Sequence, residues 1–294
     1  MRVLIFGGNG FLGTALGSAL NEGSIAYETV SRTSDASTYN FDISVRDSFG
    51  MLPNNAFDIV VNCATILPGG DYLAPDYLDT IYRTNIKGSQ NICHWIATQT
   101  SVKKIINCSS LAVVGKPWPQ PLTEEDVKPP YGQHVLYSAS KLFQEQIFET
   151  FSQESKVPLV QIRFSALYGP QMAWNGVLCS FIDQARQEGR IKMKNATKVY
   201  ADFLHVKNAS DIILAAANSD VTGILNGASG VETSLAELAQ YVNNHLDADL
   251  EVYNVEEDGI EPSRAVIDVR KLHSIINTEK FISLSDGVLA LLSL

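Results

Sequence analysis

Val3-Leu4-Ile5-Phe6-Gly7-Gly8-Asn9-Gly10-Phe11-Leu12-Gly13 opens with a short apolar run, follows it with glycines in the spacing GxxGxxG, and leads into a stretch of helical periodicity. Read physically, that order is a strand, a tight turn and a helix. The glycines permit the turn and let backbone come close to a pyrophosphate. The helix N-terminus then presents free N–H groups and the positive end of its dipole to that anion. The same alternation continues downstream, with strands expected at 3–6, 27–30, 59–62, 104–108 and 159–164 and helices near 11–21, 77–99 and 138–155. Alternating strands and helices build a parallel sheet covered on both faces, so the expected fold is a doubly wound α/β domain. After about Tyr168 the pattern changes to Gly169-Pro170, a helix near 179–187, a turn-rich stretch at 223–230 and a helix near 235–245. The expected organisation is therefore a nucleotide-binding Rossmann domain over 1–168, with core segments returning near 195–225, and a smaller mixed lobe over 169–294 that holds substrate.

Composition narrows the class. The chain has 294 residues, 45% of them apolar, and a net charge of -10. It can bury a sizeable core, and it lacks the basic stripe that a nucleic-acid surface needs to neutralise phosphates. The apolar run at the start is too short for a secretion signal, and nowhere do apolar residues continue long enough to span a bilayer, so no membrane partner and a cytoplasmic location are expected. Cys63, Cys93, Cys108 and Cys179 are widely spaced, and the histidines form no HxH or HxxxH pair, so neither a disulfide framework nor a metal site is expected.

The end of the second strand bears on the choice of dinucleotide. A site for NAD commonly has Asp or Glu there for the ribose 2′-hydroxyl, whereas this chain reads Val30-Ser31-Arg32-Thr33. A guanidinium in place of a carboxylate suits a 2′-phosphate, so the expected cofactor is NAD(P), with NADP(H) favoured over NAD(H) and Arg32 as the discriminator.

Tyr137-Ser138-Ala139-Ser140-Lys141 puts a phenol and an amine four residues apart, on one face of a helix. A free phenol, with a pKa near 10, is a poor base at neutral pH, and bringing it down by about three units needs roughly 4 kcal/mol of preferential phenolate stabilisation. A neighbouring ammonium in a shielded cleft is one source of it. Upstream, Ile105-Ile106-Asn107-Cys108-Ser109-Ser110 ends a strand in hydroxyls that can bond a substrate oxygen.

Taken together, GGNGFLG, the serine-ended strand and YSASK resemble the extended short-chain dehydrogenase/reductases, the NAD-dependent epimerase/dehydratase family that includes many nucleotide-sugar enzymes. The likeness extends to Phe41-Asp42-Ile43, Asp58-Ile59-Val60-Val61-Asn62-Cys63-Ala64, Thr84-Asn85-Ile86-Lys87-Gly88, Arg163 with Tyr168-Gly169-Pro170, Asp202-Phe203-Leu204-His205-Val206 and Leu225-Asn226-Gly227. It implies catalytic roles for Ser110, Tyr137 and Lys141, with Ser110 preferred to Ser109. Cofactor contacts are implied for Gly7, Asn9, Gly10, Phe11, Leu12, Gly13, Arg32, Asp42, Ile43, Ala64, Asn85, Cys108, Tyr137, Lys141 and Phe164. A homodimer built on the helices at 77–99 and 138–155 is implied as well.

This chain also departs from the family. Val114 stands where Tyr is frequent, Ala166 where sugar-nucleotide enzymes carry Asn, and Ala201 where Arg often touches the diphosphate. Leu111 and Ala112 replace the acidic pair of the 4,6-dehydratases, and no Cys follows Ser110 as in the epimerase-reductases of GDP-sugars, which makes Cys108 structural. The expected activity is 4-keto reduction of a nucleotide-activated sugar. The alternatives are a nucleotide-sugar 4-epimerase, a reductase of a smaller aldehyde or ketone, and a dinucleotide-sensing regulator without catalysis.

Overall fold

The structure is a computed structural model that describes residues 1–32, 37–68, 74–132, 134–246 and 251–293. Strand β1 (Arg2–Phe6) turns through the glycines into α1 (Phe11–Glu22). There follow β2 (Ala26–Ser31), β3 (Tyr39–Asn40), β4 (Ile59–Asn62), α2 (Pro75–Ile81), α3 (Ser89–Ile96), β5 (Lys104–Ser110), α4 (Val135–Ser155) and β6 (Leu159–Phe164). The chain goes on through β7 (Ala166–Tyr168), α5 (Gly176–Glu188), β8 (Arg190–Lys194), β9 (Tyr200–His205), α6 (Val206–Ala217) and β10 (Gly223–Gly227). It ends with β11 (Glu232–Ser234), α7 (Leu235–His245), β12 (Glu251–Val255), α8 (Arg270–His273) and α9 (Leu284–Leu292).

Seven strands make one sheet in the order β10-β6-β5-β4-β1-β2-β3. The pairings from β3 across to β6 are all parallel. This is the doubly wound order, and it reverses between β1 and β4, where an open α/β sheet takes its ligand at the carboxyl ends of its strands. β4 and β6 are buried at every residue and β5 at all but its last, as strands covered on both faces must be, and they read as near-continuous apolar runs. Leu4, Phe6, Val60 and Ile105 pack against Ile92, Trp95 and Ile96 of α3 and Phe148 of α4. Each such side chain contributes about 1.5–3 kcal/mol on burial.

Across this apolar sheet runs a row of amides at matched register, Asn62, Asn107 and Gln161. Asn62 Nδ2 donates to Asn107 Oδ1 at 3.1 Å, and Asn107 Nδ2 donates to Gln161 Oε1 at 3.1 Å. Gln161 Nε2 ends the row on the carbonyl of Glu145, and Asn62 Oδ1 begins it by accepting the Ala64 N–H. All three side chains are buried, and the row gives each of them a partner.

The helix expected over 77–99 is three consecutive pieces, because residues Tyr82–Gly88 between α2 and α3 form a π-helix. Close packing accompanies the change. A Cβ at Gly88 would lie 2.5 Å from Ile43 Cδ1, and the Asn85 carbonyl takes side-chain donors, as described below. Helix α4 starts at Val135, before the expected 138, so Tyr137 falls in its first turn.

The chain divides into two compact units, the first comprising Met1–Gly115, Val127–Phe164 and Ser210–Leu225, the second Lys116–Asp126, Ser165–Ala209 and Asn226–Leu294. The first unit takes up the chain again at Ser210, after β8 and β9, which belong to the second unit. In the first unit, Lys104 of β5 is buried and donates to the carbonyls of Ala216 and Ser219, which holds the C-terminus of α6 to the sheet. In the second, β7 and β11 flank β9 in a mixed sheet, and β8 pairs with β12. Its core gathers Phe181, Ile182, Leu238, Val242 and Leu291. Ser234 starts α7 with a capping box to Glu237, and Asp202 is tied to the Ser165 and Ser229 hydroxyls and the Gly230 N–H.

Candidate active site

The glycine turn is shaped by what cannot be there. Gly7 has φ +81, and a Cβ on it would lie 2.7 Å from the backbone N of Ala64; a Cβ on Gly13 would lie 2.2 Å from the Gly7 carbonyl oxygen. Gly10 is the N-cap of α1 with no side-chain cap bond, and the first turn of the helix holds no acidic residue. The result is a bare helix N-terminus behind a loop that lets backbone approach closely, which fits the pyrophosphate of a dinucleotide. Asn9, Gly10, Phe11 and Leu12 lie on the accessible side of this turn. Gly13 is buried, where the first turn of α1 packs closely on Gly7 and Gly8.

Around the rest of the expected cofactor path, Arg32 is exposed just beyond β2, and Thr33 lies outside the described residues. Asp42 Oδ1 accepts the Ser44 N–H at 2.8 Å, and its other oxygen stands 3.7 Å from Arg83. The Ile43 carbonyl accepts from Asn91 Nδ2 at 2.8 Å. Ala64 borders Gly7, while Phe164 is buried at the end of β6.

The structure brings Ser110, Tyr137 and Lys141 together between the end of β5 and the start of α4. Tyr137 is buried and hydrogen-bonded to Ser110, and the Ser110 hydroxyl also accepts the Ala112 N–H at 3.2 Å. The neighbouring hydroxyl of Ser109 has a different partner: it donates to Glu145 Oε1 at 2.5 Å, inside the protein. That carboxylate is also held by Arg163 through two parallel hydrogen bonds of 3.0 and 2.9 Å. Of the two serines, Ser110 alone is the partner of the phenol.

Burial dominates and pushes Tyr137 up to about 12; the Ser110 hydrogen bond pulls it down, and the nearby Tyr77 adds to the rise. Burial likewise brings Lys141 down to about 8, against the upward pull of Cys108, Glu145 and Cys63. At neutral pH the pair is therefore a protonated phenol beside a lysine that still carries its charge. The Lys141 amine donates to the Cys108 carbonyl at 2.6 Å and to Gln144 Oε1.

Asn85, expected to line the cofactor, is 0% exposed. Its side-chain oxygen accepts the Ile66 N–H at 2.8 Å and its amide donates to Ser140 Oγ at 2.9 Å, so it ties the segment after β4 to α4. Cys108 contributes its carbonyl to Lys141, and its thiol lies 3.6 Å from that of Cys63 across the adjacent strand ends. Sequence reasoning missed Gln144, Ser140 and Ser89. Gln144 stands three residues after Lys141 on a helix, which is the one signal that could have found it. Among the described residues, no cluster of His, Cys, Asp or Glu is suited to hold a metal ion, and no helix is long and apolar enough to cross a membrane.

The model of the NAD dependent epimerase/dehydratase family matches residues 3–227. A UDP-glucuronic acid decarboxylase of Arabidopsis thaliana is 23% identical over 70% of this chain and 61% of its own length, so this chain spans less than two thirds of that relative. The dTDP-6-deoxy-L-talose 4-dehydrogenase (NAD(P)(+)) of Kitasatospora kifunensis is 23% identical over 89% of this chain and 84% of that protein. The solved UDP-glucuronic acid 4-epimerase of Bacillus cereus, in complex with UDP-glucuronic acid and NAD, superposes with a TM-score of 0.81 at 20% identity, covering 100% of this chain and 98% of that one. At that identity the likeness is one of fold.

Proposed function

The chain belongs to the NAD dependent epimerase/dehydratase family, and from that premise we propose that it is an NADP(H)-preferring reductase of a 4-keto sugar activated by a nucleotide. One observation carries the reading. Tyr137 is buried and hydrogen-bonded to Ser110, one helical turn from the buried Lys141, in the unit that also holds the uncapped N-terminus of α1. A phenol that keeps its proton is poised to give it to a carbonyl oxygen, which is the direction of reduction. Ser110 donates a second hydrogen bond to that oxygen. Lys141 holds ribose hydroxyls and, once the phenol has given up its proton, favours the phenolate. When bound, the nicotinamide supplies the hydride. Gly7, Asn9, Gly10, Phe11 and Leu12 hold the pyrophosphate, with Asp42 and Ile43 at the adenine and Ala64, Cys108 and Phe164 toward the nicotinamide; residues 169–294 hold the sugar nucleotide.

Arg32, exposed just beyond β2, supports the preference for NADP(H). The similarity to a 4-dehydrogenase over 89% of the chain supports chemistry at a sugar C4. The test is to denature the purified protein, assay the supernatant for nicotinamide, and then follow NADPH oxidation with nucleotide-activated 4-keto sugars. Little bound cofactor and NADPH-dependent reduction are expected. Stoichiometric bound NAD with epimerisation that needs no added cofactor would overturn the reading in favour of a 4-epimerase.

The same reading includes a homodimer in the cytoplasm. Leu78 on α2, Tyr82 at the head of the π-helix and Phe143 on α4 leave large apolar side chains exposed, which supports pairing through these helices. The four cysteines are free thiols, which fits a reducing compartment. Light scattering on wild type and on Phe143→Glu checks the assembly, with the variant expected to run as a monomer.

A further inference from the structure

Lys141 is 1% exposed, and a buried ammonium needs partners for its three N–H bonds. Among the described residues, two carbonyl oxygens serve it, those of Cys108 on β5 and of the Gln144 side chain on its own helix. Gln144 is itself 0% exposed. Its amide nitrogen donates to the Asn85 carbonyl at 3.3 Å and to Ser89 Oγ at 2.9 Å, and Ser89 in turn donates to that same carbonyl at 2.8 Å. The acceptor under Lys141 is thereby anchored to the π-helix and to the first residue of α3.

The charges nearby make the choice of an amide meaningful. Facing the ammonium are the thiols of Cys63 and Cys108 at the ends of β4 and β5, and Glu145 from α4. The phenol of Tyr137 lies one turn back along α4. Glu145 is already bidentate with Arg163 of β6 and accepts from Ser109. The carboxylate that follows Gln144 in sequence is therefore engaged elsewhere, and the group in contact with the ammonium is neutral.

We propose that Gln144 is a positioning residue for Lys141: it seats the ammonium on a neutral acceptor, ties that seat to Asn85 and Ser89, and leaves the third N–H for the bound ligand. The inference rests on the reading of Lys141 as a cofactor-binding lysine, and it adds why that lysine keeps an uncompensated charge. A carboxylate at position 144 would cancel the charge and raise the affinity of Lys141 for its proton. An apolar group would remove one of two acceptors and lower it.

The experiment follows the titration of Lys141 itself, by the Cε resonance in protein carrying ¹³C-labelled lysine, assigned with Lys141→Arg. Wild type is expected to titrate near pH 8. Gln144→Glu, which keeps the volume and the acceptor, should move the midpoint upward by about one unit or more, and Gln144→Met downward by a similar amount. The pH at which NADPH affinity falls should move with it, because the charged lysine is the binding form. Shifts in the same direction for both variants, no shift, or a wild-type midpoint at the ordinary lysine value would overturn the proposal. Should Gln144→Met fail to fold, the direction given by Gln144→Glu decides. The resonance titrates whether or not dinucleotide binds, so lack of NADPH affinity in wild type would count against the cofactor reading alone.

Discussion

The glycine turn after β1 and the polar seat beneath α4 do related work by opposite means. The turn is made by leaving atoms out: at Gly7 and Gly13 a single methyl would collide with backbone. The seat is made by filling space with polar side chains, each satisfied by another. Lys141 rests on Gln144, Gln144 on Asn85 and Ser89, and Asn85 on Ile66 and Ser140. The contrast teaches that binding a dinucleotide can be delegated to backbone, whereas holding a buried charge takes a network in which every member needs its partner.

If that contrast is right, damage to the seat and damage to the turn should be separable. The largest effect is expected from Tyr137→Phe, which should cut kcat by about 100- to 10,000-fold by removing the proton path. NADPH affinity, measured by fluorescence titration, should stay nearly unchanged, and a parallel loss of affinity would blur the distinction. Next is Arg163→Met, which strands the Glu145 carboxylate in the interior and should cost about 3–5 kcal/mol in urea unfolding. Adding Glu145→Met should recover most of that loss, because the remaining charge is removed as well. Gly13→Ala should cost about 1–3 kcal/mol by overpacking and lower the affinity for NADP(H) and NAD(H) alike. The smallest is Arg32→Ala, expected to weaken NADP(H) about tenfold, or ~1.4 kcal/mol, while leaving NAD(H) binding as it was. Calorimetric titration of both dinucleotides checks these last two, and equal losses in Arg32→Ala would remove it as the discriminator.

The same contrast explains what could be read from the sequence. The turn was legible because its requirement is local: glycines at fixed spacing between an apolar run and a helix suit few turns besides one that lets a phosphate approach backbone. The central strands were legible because a parallel sheet buries both faces and so leaves continuous apolar runs, and β4 and β6 begin and end where the pattern says. Tyr137 and Lys141 were legible as a helical pair. Of the seat, Asn85 was named through the family resemblance; Ser89 and Gln144 were not, because they are polar residues on two separate helices and nothing local marks a glutamine that will be buried. The π-helix escaped for a related reason, since its apolar pattern is that of an ordinary helix and the widening shows only in its tertiary bonds. The strand with which the chain rejoins the main sheet, β10 at Gly223–Gly227, comes after strand pairings in the second unit that no single-residue pattern encodes.

The row of amides from Asn62 through Asn107 to Gln161 bears on how this sequence can change over time. Each amide is the partner of the next, so replacing one by an apolar residue leaves a buried donor or acceptor facing nothing, at a cost of about 1–3 kcal/mol. Replacing all three together with apolar residues of like shape removes the orphans within the row and leaves only the backbone groups at its two ends, the Ala64 N–H and the Glu145 carbonyl, to be satisfied otherwise. The three positions are therefore epistatic: paths through single changes cross a valley, and drift at one column of a lineage should coincide with drift at the other two. A mutational library that varies these sites one at a time will record them as intolerant, while one that varies them jointly will recover folded variants.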